Sequence, residues 1–161
     1  MFYKPDWSPD TIAEVEKRIK GKVVFEWGTG YSTIWLAQRA KKVYTMEHLQ
    51  EWHDKIKNLA VQLKLDNIFF CLYPLDNNGY YEGVHYVEVL DCKPGKPDFI
   101  IVDGRNRVKC FEQALKVGCP IMLDDSERER YKAVFDMADY ASILNTIPDE
   151  RGQKATIFNV V

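Results

Sequence analysis

The sequence is poor in the features that mark several large classes of protein. Its 22 Lys and Arg against 24 Asp and Glu leave a net charge of −2, so no overall electrostatic pull draws it toward nucleic acid or anionic lipid. No apolar run approaches the roughly 20 residues of a membrane-spanning helix. The opening MFYKPDWSPD lacks the basic-then-apolar order of a signal peptide. None of the four cysteines, Cys71, Cys92, Cys110 and Cys119, forms a CxxC pair, which argues against a zinc site of familiar spacing. Internal repeats, low-complexity tracts and linkers are missing too. These absences lead to the expectation of a soluble, cytoplasmic protein with no nucleic-acid partner and no membrane partner.

What is there is an ordinary globular composition, 46% apolar and 29% charged over 161 residues, enough for one domain with a substantial core. Short apolar runs alternate with helical patterns. Ser8 and Pro9 suit the cap and first position of a helix spanning 8–21, with Ile12, Val15 and Ile19 on one face. Strand-like runs follow at 22–27, 43–47, 67–73, 98–104 and 120–125, separated by helical patterns near 32–40, 49–65, 108–118 and 131–138. Such alternation implies right-handed crossovers and a mostly parallel sheet. The last two runs, 141–147 and 154–161, are joined by PDERGQ with no helix between them and should pair antiparallel. The expected object is therefore a seven-stranded, doubly wound α/β sheet with a reversed last strand, in three α/β/α layers. Residues 74–97 break the pattern, and their Tyr80, Tyr81, His85 and Tyr86 suit either an acceptor wall or a loop packed on the core.

In an open α/β sheet, ligands sit beyond the carboxyl ends of the strands. These tips read Glu26-Trp27-Gly28-Thr29-Gly30, Glu47-His48, Asp103-Gly104 and Asp124-Asp125. Acids suit ribose hydroxyls, ammonium groups and cations, and they are poor partners for a pyrophosphate. Gly28 and Gly30 could form a ligand-hugging turn or merely a tight corner. The dinucleotide version of this turn wants a third glycine where Thr33 stands. Glu47, about twenty residues beyond the turn, has the spacing of an acid that binds a ribose. Asp103, with Asp124 or Asp125, could hold a hard divalent cation if a third oxygen ligand joined them. Arg105, Arg107 and Lys109 could face an anionic acceptor, whereas Arg128 and Arg130 belong to a mixed ERER run that suits a solvated face.

With these residues in view, the chain resembles the class I S-adenosylmethionine-dependent methyltransferases, whose domain is Rossmann-like. VVFEWGTGYSTIWLA is similar to their first motif, VYTMEH to the second and DFIIVDG to the fourth. The resemblance implies S-adenosylmethionine as cofactor. Glu26, Trp27, Gly28, Thr29, Gly30 and Ser32 would surround its methionine part, Glu47 and His48 its ribose, and Asp103 its sulfonium end. It further implies methyl transfer to a small-molecule acceptor, with a hydroxyl as the expected nucleophile, Asp103 as the catalytic residue, and Tyr80, Tyr81, His85 and Arg105 as acceptor contacts. Two other readings share the fold: a catalytically silent methyltransferase-like binding module, and an NAD-dependent oxidoreductase.

Overall fold

A computed structural model describes residues 3–74, 86, 87, 90 and 95–160. Helix α1 (Pro9–Ile19) leads into β1 (Val23–Trp27), α2 (Tyr31–Ala37), β2 (Lys42–Glu47), α3 (Gln50–Gln62) and β3 (Ile68–Leu72). Strand β4 (Phe99–Val102), α4 (Arg107–Leu115) and β5 (Ile121–Asp124) follow, then a 3-10 turn (Glu129–Tyr131), α5 (Lys132–Met137), β6 (Ser142–Asn145) and β7 (Ala155–Asn159). The strands form one sheet of seven in the order β3-β2-β1-β4-β5-β7-β6. All pairings from β3 to β5 are parallel, and β7 runs antiparallel to both β5 and β6. This is the expected doubly wound sheet with its reversed last strand.

Local chemistry explains the elements. Ser8 Oγ accepts the Thr11 amide at 3.1 Å and Pro9 opens α1, so the helix begins where its orphan donors are satisfied. The central strands β4 and β5 are buried at every position, as continuous apolar runs require when both faces are covered. On one face α1 and α2 pack Val15, Ile19, Trp35 and Leu36 against Val24, Ile101 and Ile157. On the other, α4 and α5 pack Phe111 and Val134 against Phe25, Ile100 and Phe158. Phe111 and Phe158 meet edge to face at 4.8 Å between ring centroids, and each fully buried aromatic of this kind contributes about 1.5–3 kcal/mol.

The expected irregular segment 74–97 lies mostly outside the described residues, and with it Tyr80, Tyr81 and His85. Tyr86 is described, and it belongs to the core rather than to an acceptor wall. It is fully buried, its hydroxyl accepts the Arg105 amide at 3.1 Å, and its carbonyl accepts the Trp27 indole N–H at 2.8 Å. No helix among the described residues is long and apolar enough to cross a membrane.

Candidate functional site

Chain order reverses between β1 and β4: β2 lies to one side of β1, and β4 to the other. A cavity of about 1030 Å3 opens over this switch point, bounded by Gly28–Gly30 beyond β1, Glu47 and His48 at β2, and Asp103 and Gly104 beyond β4. This is where an open α/β sheet places its ligand.

The two glycines of the first tip differ in kind. Gly28 has φ 102°, and a Cβ there would stand 2.9 Å from the Asp103 carbonyl carbon and the Gly104 nitrogen. The turn is therefore wedged against the next strand's tip, and only glycine fits. Gly30 is extended, with φ −165°, so any residue could adopt its backbone. A Cβ there would first meet Ser32 Oγ, at an ordinary 3.5 Å. Its bare side lines the cavity.

Glu26 and Trp27 do not line the cavity. Both are fully buried. The Glu26 carboxyl accepts the Ser32 and Thr33 hydroxyls at 2.5 Å each and the Thr45 hydroxyl at 3.2 Å. Burial pushes its pKa from an ordinary 4.5 up to about 8, and the hydroxyls only partly offset this. Ser32 reaches the cavity wall with its hydroxyl turned inward to Glu26.

Glu47 does line the cavity, and it also holds the turn. Its carboxylate accepts the amides of Thr29 at 3.1 Å, His48 at 2.8 Å and Leu49 at 3.0 Å. Burial alone would raise its pKa, but the His48 and Leu49 contacts outweigh that and hold it below the ordinary carboxylate value. His48 Nδ1 lies 2.7 Å from Glu47 Oε1 but is poorly aligned for a hydrogen bond. Trp52 completes this wall by donating its indole N–H to the Thr29 carbonyl.

Asp103 also faces the cavity, its side chain 23% exposed. Arg107 Nη2 donates to Asp103 Oδ1 at 2.9 Å, and the Trp7 indole reaches Asp103 Oδ2 at 3.4 Å. Asp124 and Asp125 do not line the cavity. Both turn toward the same guanidinium, Arg107 Nη1, at 3.8 Å and 3.1 Å. Strand alternation would have sent them apart, but Asp125 has φ 53° and has already left the strand. Arg107 further binds the carbonyls of Asp103, Gly104 and Asp124 at 2.7–3.0 Å. A fixed guanidinium thus stands where the sequence offered room for a metal. Among the described residues no group of three His, Cys, Asp or Glu is arranged to hold one. Burial pushes the Asp103 carboxyl upward against the pull of Arg107. Asp124 is driven well above its ordinary value by burial and by its two acidic neighbours.

Several wall residues have no signature in the linear pattern. Trp7 and Asp6 arrive from the chain start, Asp6 held by Arg151 at 2.8 Å. Arg128 and Arg130 line the cavity rather than forming a wholly solvated face. Arg107 as Asp103's partner was not legible either, because Asp103 precedes the helix that Arg107 opens and no helical spacing joins them.

A seven-stranded sheet of this order is shared with solved structures that bear methyltransferase names, among them an S-adenosylmethionine-dependent one from Aquifex aeolicus, 14% identical, with a TM-score of 0.64 over 96% of this chain and 90% of that one. No family model matches the sequence, and no curated protein does either. Solved structures do match. A methyltransferase-like protein from Silicibacter pomeroyi is 19% identical, with a TM-score of 0.73 over 97% of this chain and 88% of that one. An rRNA methylase from Streptococcus thermophilus is 13% identical, with a TM-score of 0.69 over 98% and 99% of the two chains. A Streptococcus mutans protein solved in complex with S-adenosylhomocysteine is 12% identical, with a TM-score of 0.66 over 93% and 97%.

The rRNA methylase corrects one expectation. Net charge is no ground for excluding nucleic acid, because proteins of this fold include one that bears the name of an RNA enzyme. The physical reason is that net charge averages over the whole surface. Lys4, Arg105, Lys109, Arg128 and Arg130 are concentrated around a single cavity.

Proposed function

We propose that the chain binds S-adenosylmethionine in the cavity over β1, β2 and β4 and transfers its methyl group to a hydroxyl-bearing acceptor. The observation that carries this reading is the pairing of Gly28 with Glu47. A turn only glycine can make is clamped by a carboxylate that itself reaches the cavity. The residues fit the group. Glu47 Oε1 already accepts two backbone amides, but Oε2 accepts only the Thr29 amide and keeps a second lone pair for a ribose hydroxyl. Gly30 leaves its face bare for close approach, and Leu49, 53% exposed beside Trp52, offers an apolar surface to a purine.

When bound, the cofactor supplies a methyl carbon activated by a cationic sulfur. The chain's residues then align, exclude water and handle a proton. Glu26 supports the turn from below through Ser32 and Thr33. Asp103 stands at the cavity wall with a carboxyl whose pKa burial pushes upward, which makes it a stronger proton acceptor than an ordinary carboxylate. Arg107 fixes its orientation.

Thermal shift with S-adenosylhomocysteine, S-adenosylmethionine and NAD tests the reading, because a ligand that binds only the native state raises its apparent stability. Shifts are expected with the first two. A shift with NAD alone overturns the proposal in favour of an oxidoreductase. Transfer of a labelled methyl group to catechol, sugar and ribonucleotide acceptors then separates an enzyme from a silent binding module. Asp103→Asn should lower that transfer by about 100-fold or more while leaving the S-adenosylhomocysteine shift in place.

A further inference from the structure

The charges around the cavity do not balance. Its carboxylates, among the described residues, are Asp6, Glu47 and Asp103, and each is already engaged. Asp6 is paired with Arg151, Glu47 accepts three backbone amides, and Asp103 is bound by Arg107. Arg107 and Arg128 are matched in turn by Asp103, Asp124 and Asp125. Lys4, Arg105, Lys109 and Arg130 also line the cavity, yet none of them takes part in an ion pair among the described residues.

Three of these four cations share one wall. Arg105 and Lys109 flank the start of α4. Arg130 lies over the Tyr131 ring at 5.0 Å, and Arg107, in the first turn of α4, faces the same ring at 5.4 Å. Tyr131 thus brings the 3-10 turn against α4. The two glutamates of the same turn region are engaged elsewhere: Glu129 with Lys132 at 2.6 Å, Glu127 with the Lys154 amide at 3.2 Å. S-adenosylmethionine itself carries one net positive charge and would not neutralise this wall. A negatively charged second occupant of the cavity is the one this wall attracts.

We propose that the methyl acceptor bears phosphate, held by Arg105, Lys109 and Arg130 along this basic wall; the assignment rests on the methyl-transfer reading above. Phosphate is the anion that best matches several arginine and lysine donors at once, through charge and through its multiple acceptor oxygens. A nucleotide and an RNA strand both present it, and the test separates them.

The experiment measures binding of uridine, UMP and a short fluorescein-labelled single-stranded RNA to the full chain, with and without saturating S-adenosylhomocysteine. One or both phosphate probes should bind, uridine should not, and binding should weaken as salt rises. In the Arg105→Ala/Lys109→Ala/Arg130→Ala variant, RNA affinity should fall at least about tenfold and the slope of log affinity against log salt should drop by about two. S-adenosylhomocysteine affinity should stay within about twofold of wild type, since the Glu47 wall is untouched. The single variants Arg105→Ala and Lys109→Ala, each at an exposed side chain, give the same comparison should the triple variant fold poorly. Binding of UMP identifies a mononucleotide acceptor, and binding of RNA alone a polymeric one. Equal affinity of wild type and variants for the phosphate probes, or no preference for them over uridine, overturns the proposal. Absence of S-adenosylhomocysteine binding would instead remove the methyl-transfer reading, and the probes still report on the basic wall of the unliganded chain.

Discussion

The Thr33 hydroxyl donates to the Glu26 carboxyl at 2.5 Å while accepting the Gly30 amide at 3.0 Å. The acid before the glycine turn is thereby linked to the second glycine through one side chain. Glu26 has a folded pKa raised from an ordinary 4.5 to about 8. Between those values the folded state keeps a proton that the unfolded state has lost, so this group makes stability fall as pH rises. The loss reaches the order of 5 kcal/mol above pH 8. In Glu26→Gln that part of the slope should vanish. Melting temperatures of both proteins across pH 5–9 check this, and parallel curves would contradict it.

Glu47 carries the opposite sign. Its pKa is held below the ordinary value, so its contribution is present above the unfolded pKa and is lost as pH falls through the folded one. Glu47→Gln must aim an amide donor at the backbone N–H groups of Thr29, His48 or Leu49. It should cost about 1–3 kcal/mol and weaken S-adenosylhomocysteine binding as well, measured by urea unfolding and calorimetry.

The two glycines should separate stability from binding. Gly28→Ala meets both a positive φ and backbone 2.9 Å away, and should lose at least about 2 kcal/mol. Gly30→Ala is compatible with its extended backbone and should gain up to about 1 kcal/mol. Its new methyl group would occupy the bare face on the cavity, so ligand affinity should drop. Equal behaviour of the two variants in both measurements would contradict this division.

Arg107→Ala removes the cation that Asp103, Asp124 and Asp125 share. Leaving buried carboxylates unmatched costs about 3–5 kcal/mol. The deficit should shrink as pH is lowered, because Asp103 and Asp124, whose pKa values are already raised, take up protons and no longer need the guanidinium. A deficit that does not change with pH would mean that Arg107 acts through packing alone.

The sheet was legible in the sequence because buried strands and amphipathic helices differ in period, and FIIV or IMLD admits little else. Strand alternation also places Val24 and Glu26 on the side of the sheet opposite Phe25 and Trp27. That alternation could have warned that Glu26 faces the protein's own helix rather than the cavity. Asp125 was not legible, because its left-handed backbone breaks the very alternation used to orient it. The basic wall was hidden in a different way. Arg105 and Arg130 are 25 residues apart in the chain and meet on one cavity only in the fold, where Tyr131 packs between Arg107 and Arg130. The role of Trp7 was equally invisible, since nothing local links it to Asp103.

The tethering of the chain start has a consequence for the order of synthesis. Trp7 reaches Asp103, the Thr11 hydroxyl meets Thr146 at 2.8 Å, the Asp10 carboxylate accepts the Ile147 amide, and Asp6 waits for Arg151. These partners lie 96 to 145 residues downstream. As the ribosome extends the chain, Trp7 meets Trp35 early and Asp103 later, whereas Asp6, Asp10 and Thr11 wait for residues 146–151 between β6 and β7. This stretch is therefore fastened down last, by contacts of a span that forms slowly.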